Sequence, residues 1–363
     1  MKESKGFFAL FSIVNMKKKI ILLFIAFVMV CTGCGNSEGG KTERFSSSFI
    51  DVFDTASTVI AYDNSQEDFD AHLETFHQML EEYNKLYDIY NTYDGMVNLA
   101  VINQRAKDEP VEVDQRIIDL LEYCREVYDM SNGQTNICFG TVLSLWHDSR
   151  TYSVNNPEKA YLPDMQELKQ AAEHTDFDDL IIDKEKRTVY FKDPNLRLDV
   201  GAVAKGFAVR EASAYAKENL WSSAAISIGG NVVTFGYKND DGKTLWNIGI
   251  ESPDPDSKEN LESLAITELS VVTSGDYQRY YIVDGKKYCH IINPKTLMPA
   301  EYMASVSVLC KDSALGDALS TTLFNMSIEE GRSLVDSMDD VEAVWVDKDY
   351  KKTYSAGFEQ YIK

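Results

Sequence analysis

The sequence predicts an α+β fold: a single compact domain with mixed or antiparallel sheets and flanking helices. Three observations carry this. Strand-like segments outnumber helical ones, and several come in pairs joined by tight turns. No internal repeat appears, and no G-x-G-x-x-G or Walker-type loop. After residue 50 no stretch has the composition of a linker.

Taken in order, the chain opens on a targeting segment. Met16-Lys17-Lys18-Lys19 is a basic n-region, and residues 20–30 are an apolar run too short for a comfortable membrane span. CTGCGNSEGG follows, with small residues before Cys34 and a polar, Gly-rich stretch after it. This resembles a bacterial lipoprotein signal, with Cys34 the lipidated first residue of the mature chain; Cys31 stands where a Leu is usual. Either residues 1–15 extend the n-region or translation starts at Met16. Residues 1–33 are thus signal, 34–48 a tether, and 49–363 the folded domain.

Residues 53–62 are β-branched and predict the first strand. Apolar residues at helical spacing predict a long helix over 69–90 and a second over 113–131, ended by Asn132-Gly133. Residues 151–163 read as irregular, and 163–173 as a short helix. Residues 180–191 predict a hairpin around an Asp-Lys-Glu-Lys turn. Residues 196–220 predict a strand, a tight turn and a helix from about Val203. AAISIGGNVVTFG is a strand broken by Gly-Gly, and WNIGIESP and SLAITELSVVTSG are further strands. A hairpin turns at Asp284-Gly285, ASVSVLC is a strand, and 314–326 a helix. Ser327 and Glu330 spell a capping box before another helix, and VEAVWVDKDYKKTYS closes in a hairpin.

With 363 residues and 44% hydrophobic content, the chain can bury a sizeable core. Its formal net charge of -22 disfavours nucleic acid and anionic lipid surfaces. An anionic ligand would need local positive charge or a metal. Cys31-Thr32-Gly33-Cys34 lies inside the signal, so a redox C-x-x-C role is set aside. Cys124, Cys138, Cys289 and Cys310 allow three pairings, and the spacing does not choose among them.

Four stretches can carry chemistry. In DVGAVAKG (199–206) a strand end, a permissive Gly201 and a helix start would present backbone N–H groups to a phosphate, with Lys205 as a mobile cation. The plainer reading is an ordinary turn with a solvated lysine. In GDALSTTLF (316–324) Asp317, Ser320 and Thr321 share one helix face, an oxygen set suited to Mg²⁺. Helix capping and back-bonding to the helix backbone explain the same residues. In TSGDYQRYY (273–281) Asp276 either orients a base or satisfies its own turn. His290, before the Ile291-Ile292 pair, is either a structural histidine or a proton acceptor at a strand end.

Together the segments carry more than each alone. DVGAVAKGFAV, SIGGN, TSGDYQRYY, HIINPKT and GDALSTTLF resemble, in order, the motifs of the ApbE family, the FAD:protein FMN transferases. GQTNICFGTVLSLWHDSR resembles the family's earlier flavin-contacting segment and FDTASTVIAY its first strand. The resemblance spans about residues 50–360. It implies an enzyme that takes FAD as substrate and Mg²⁺ as cofactor outside the cytoplasmic membrane. FMN would pass to a Ser or Thr hydroxyl of an acceptor protein, with release of AMP. It places the metal at Asp317, Ser320, Thr321 and the Ala202 carbonyl, and makes His290 the base. FAD contacts would fall at Phe53, Tyr93, Gln134, Thr135, Asn136, Asp199, Lys205 and Ile292. Asn136, Arg210 and Asn293 stand where Asp is common, departures expected to bear on substrate orientation. Hydrolysis of FAD by the same site, and flavin capture without turnover, are the rival readings.

Overall fold

The computed structural model describes residues 42–363. The expected signal (1–33) and Cys34 lie outside the described residues. The first half of the chain runs β1 (Glu43–Phe49), β2 (Ser57–Asp63), α1 (Gln66–Leu86), α2 (Leu99–Arg105), β3 (Val111–Glu112), α3 (Gln115–Met130), α4 (Gly140–Asn155), α5 (Met165–Ala172), β4 (Leu180–Asp183) and β5 (Thr188–Phe191). The second half runs α6 (Ala204–Asn219), β6 (Ala224–Ile228), β7 (Asn231–Phe235), β8 (Trp246–Ile250), β9 (Glu262–Ile266), β10 (Leu269–Gly275), β11 (Tyr280–Val283), β12 (Lys286–Cys289), β13 (Met303–Cys310), α7 (Ser313–Phe324), α8 (Ile328–Val335), β14 (Glu342–Asp347) and β15 (Lys352–Tyr354).

The α+β expectation holds, and the sheets are antiparallel. Eight strands form the main sheet in the order β1-β2-β6-β7-β10-β13-β14-β15, and every neighbouring pair runs antiparallel. A three-stranded sheet β3-β5-β4 and the ribbons β8-β9 and β11-β12 complete the set. β13 is buried along its whole length, because both faces are covered. Val306 and Val308 face a core shared with Leu319, Leu323 and Phe324 of α7. Leu309, the next residue and so on the opposite face, meets Ile250, Leu264 and Phe358. At the opposite end, Phe69 and Phe76 of α1 close around Trp221, whose indole N–H donates to Asp63 at 3.0 Å.

The structure corrects several expectations. Residues 43–48, expected to belong to a tether, are instead strand, because Glu43–Phe49 pairs with β2 over its full length. Its Ser-rich composition masks an alternation in which Phe45 and Phe49 turn inward, and Phe45 stacks on Phe69 at 5.5 Å. The strand predicted at 53–62 begins only at Ser57, because Phe53 and Asp54 adopt left-handed turn geometry at φ 53° and 51°. The first long helix stops at Leu86 instead of reaching Tyr90. The segment ahead of Asp199 is extended but makes only one ladder bridge, Phe139 to Arg197. Residues 151–155, read as irregular, are the last turns of α4. That helix was not predicted, since its buried stripe includes Ser149 and Ser153, and polar residues on the inner face erase the apolar period. The capping box stands as expected, with Ser327 and Glu330 bonding reciprocally ahead of α8. Cys124, Cys138, Cys289 and Cys310 are free and buried.

Candidate active site

One cleft of about 940 Å³ is lined by the turn before β2, the start of α6, the Gly229-Gly230 hairpin turn, α4, the end of β10, the chain around His290, and α7. Its floor follows from a close approach of two helices. α6 begins at Ala204 without a side-chain cap. Gly206 gives its N–H to Asp317 Oδ2 at 2.7 Å, so the Ala202 carbonyl loses the helix donor four residues on. Only glycine fits there: a Cβ would lie 2.6 Å from the Ser313 carbonyl oxygen and closer still to the Asp317 side chain. Lys205 Nζ reaches Asn231 Oδ1 at 2.6 Å and Asp317 Oδ1 at 3.3 Å. The strand-end segment is pinned by Asn103, which bonds both polar groups of Leu198 at 2.9 and 2.7 Å. Asp199 accepts from Gly201 N at 2.9 Å, and burial raises its pKa.

On α7 the three oxygens separate. Asp317 and Thr321 face the cleft, and the Thr321 hydroxyl makes no hydrogen bond to any described residue. Ser320 is fully buried and lies outside the cleft lining. Its hydroxyl bonds Ser274 Oγ at 2.8 Å and donates to the Asp317 carbonyl at 2.9 Å. The shared face expected from helical spacing therefore holds for two of the three. The set that remains is a carboxylate, a free hydroxyl and a backbone carbonyl lacking its donor. All are oxygens, the ligand type Mg²⁺ takes, so the residues fit that ion. A separate cluster of Asp51, His77 and Glu81 has ligand atoms close enough for a metal, but none of the three lines the cleft.

His290 follows β12 and is half-buried. Its Nδ1 lies 3.1 Å from the Arg279 carbonyl oxygen. A carbonyl only accepts, so Nδ1 carries the proton and Nε2 keeps a lone pair. Burial, reinforced by the Arg279 and Arg150 charges, pushes its pKa down to about 4. The imidazole is therefore neutral, and able to accept a proton, across the ordinary pH range.

The other expected contacts gather on the same cleft: Phe53, Tyr93, Gln134, Thr135, Asn136, Asp199, Lys205 and Ile292 all line it. Phe53 N donates to Asn84 at 2.9 Å. Tyr93 donates to Asp88 at 2.8 Å. Thr135 and Thr322 share a hydroxyl bond of 2.7 Å. Asn136 is partly engaged already, donating to the Thr175 carbonyl and accepting from Cys138 N. Gln134 Oε1 and Asn325 Oδ1 are buried without a partner among the described residues, which makes them ready acceptors for a ligand donor. The other departures serve packing. Arg210 lies over the Tyr123 and Phe207 rings and pairs with Glu211 and Asp312. Asn293 closes its own turn and donates to the Asn325 carbonyl. Asp276 is buried between Lys287 and Lys348 at 2.8 and 2.7 Å, the satisfied-turn reading rather than the orienting one. Reasoning from sequence missed Arg150, Arg279, His147 and Tyr90, which also line the cleft. Arg279 and Arg150 sat inside quoted motifs, but an arginine alone gives no sign of what it faces.

Fold and site define a class: an α+β protein built around a cleft that gathers oxygen ligands, cations and a neutral histidine. The chain belongs to the ApbE family, whose profile matches residues 53–345. It is 29% identical over 273 residues to the FAD:protein FMN transferase of Klebsiella pneumoniae (strain 342), covering 75% of this chain and 80% of that one. Identity to the FAD:protein FMN transferase of Treponema pallidum (strain Nichols) is 31% over 271 residues, covering 71% and 73%. The solved ApbE protein of Thermotoga maritima superposes with a TM-score of 0.77 at 25% identity, over 88% of this chain and all 100% of that one. The flavin transferase ApbE from Vibrio cholerae gives 0.74 at 24% and bears on the fold alone.

Proposed function

We infer that this chain is an FAD:protein FMN transferase, moving FMN from FAD to a hydroxyl of an acceptor protein and releasing AMP. The observation that carries this is the convergence of Asp317, Thr321, Lys205 and His290 on one cleft in a member of this family. Transfer at a diphosphate needs charge neutralisation, an oriented nucleophile and a base. His290 Nε2 takes the proton of an acceptor Ser or Thr. The freed oxygen bonds to the FMN-side phosphorus as the bond from that phosphorus to the bridging oxygen breaks, and the bridging oxygen leaves with AMP. Lys205 supplies positive charge beside Asp317. The buried Gln134 and Asn325 oxygens suit donors on a flavin edge. Asp317, Thr321 and the Ala202 carbonyl are the residues that would hold Mg²⁺. When bound, that ion withdraws charge from diphosphate oxygens.

By the same reading the protein is lipid-anchored through Cys34 on the extracytoplasmic face of the cell membrane, near its acceptors. The test is intact mass of a co-expressed acceptor domain, with AMP assayed alongside. Gain of one FMN with AMP release is expected. AMP and free FMN with an unmodified acceptor would mean hydrolysis instead, and unchanged FAD would overturn the enzymatic reading.

A further inference from the structure

Two guanidinium groups stand in the cleft with no carboxylate partner among the described residues, in a chain with 58 acidic residues against 36 basic. Arg150, near the end of α4, is half-buried. Its one side-chain hydrogen bond goes to Nδ1 of His147 at 3.1 Å. Arg279 precedes β11, and its guanidinium makes no hydrogen bond or ion pair with any described residue. Its carbonyl accepts from both His290 N, at 3.0 Å, and His290 Nδ1, so its backbone is fixed beside the base. Asp199 lines the same cleft but bonds Gly201 and pairs with neither arginine. Elsewhere Arg116, Arg125 and Arg210 are paired to carboxylates.

Such an arrangement is unfavourable by itself. Burial and the neighbouring Arg279 charge lower the pKa of Arg150 despite the opposing Asp199 charge, the sign of a cation whose counter-charge is incomplete. An anion between the two would relieve both costs. Lys205 is already engaged with Asn231 and Asp317, and Asp317 is itself an anion. Even with a divalent ion at Asp317, a diphosphate keeps non-bridging oxygens that need further donors. Guanidinium forks suit such oxygens, since each offers paired N–H groups to one phosphate.

We propose that Arg150 and Arg279 form a clamp for the diphosphate bridge of the flavin dinucleotide, distinct from the Asp317 cation position. This rests on the flavin-dinucleotide reading of the cleft and adds two binding residues to it. The clamp explains how an acidic protein attracts a dianionic substrate before any metal is counted. It also accounts for a half-buried arginine on a helix whose fully buried residues are apolar or small.

The test compares FAD, ADP and riboflavin binding to the wild type and to R150Q, R279Q and the double variant, with and without magnesium. ADP carries the diphosphate without the flavin, and riboflavin the flavin without phosphate. Each single variant is expected to weaken FAD and ADP about tenfold, and the double variant more, with riboflavin unchanged. Melting curves close to wild type would show that the fold survives. Three results overturn the proposal: undiminished FAD and ADP affinity, equal weakening of riboflavin, or a rise in acceptor KM with FAD affinity intact. Because these are binding measurements, failure of the wild type to transfer FMN would defeat the enzymatic reading while leaving this outcome to stand by itself.

Discussion

At Gly206 a missing side chain lets two helices share one carboxylate, and the proposed metal position depends on that contact. Gly206→Ala should cost about 1–3 kcal/mol through forced repacking, read by denaturant melts, and should disturb Asp317 as well. Asp317→Ala should shift the magnesium dependence of transfer; a titration curve identical to wild type would defeat the metal assignment. His290→Ala should still bind FAD but lose roughly 10²–10⁴ of the transfer rate, and undiminished transfer would remove His290 from the mechanism. Its pKa is depressed to about 4, so the neutral, proton-accepting form persists below the usual histidine range. The acidic limb of kcat/KM should therefore fall near pH 4 rather than near 6.5, and a limb at the ordinary position would contradict the burial argument. The residue types of this site were legible as ordered motifs. Which oxygens face the cleft was not: Ser320 and Thr321 are adjacent on α7, about 100° apart around its axis, and only the packing of the helix puts one against Ser274 and the other in the cleft.

Among the elements, α4 shows best what sequence patterning hides. Its inner face carries Trp146, Ser149 and Ser153. Ser149 donates to the Tyr161 carbonyl at 2.6 Å and meets the Tyr281 hydroxyl of β11 at 3.1 Å. That contact ties the helix bearing Arg150 to the strand that follows Arg279. Ser149→Ala should cost about 1–3 kcal/mol by leaving buried groups unpaired, measurable as a lower melting midpoint, and should raise the KM for FAD through the displaced helix. No change in either would mean α4 is held by apolar packing alone. The segment read as one strand broken at Gly229-Gly230 is the hairpin β6-β7. Elements with a clean signature, such as α8 with its capping box and the hairpin at Asp284-Gly285, followed from local chemistry. Those with polar inner faces or serine-rich strands did not, because their partners lie far along the chain.

For the whole molecule, every residue assigned to the cleft falls between Phe53 and Asn325, well after the proposed anchor. Cys34→Ala should then move the protein from the membrane to the soluble fraction while leaving FMN transfer in solution unchanged. Persistence in the membrane fraction would sink the lipidation reading. A net charge of -22 disfavours indiscriminate binding of polyanions, so attraction of an anionic substrate falls to the cations within the cleft.

By itself the sequence determined the fold class, the order of the motifs and the chemistry they can support, since turn residues, periodicity and side-chain type act over a few residues. Tertiary structure decided which of those groups meet. Antiparallel pairing of strands far apart in the chain brings α6 and α7 together at Gly206 and sets His290 beside two unpaired arginines. The proposed proton acceptor, cation position and anion clamp depend on distances of a few ångströms, and such distances follow from packing rather than from local order.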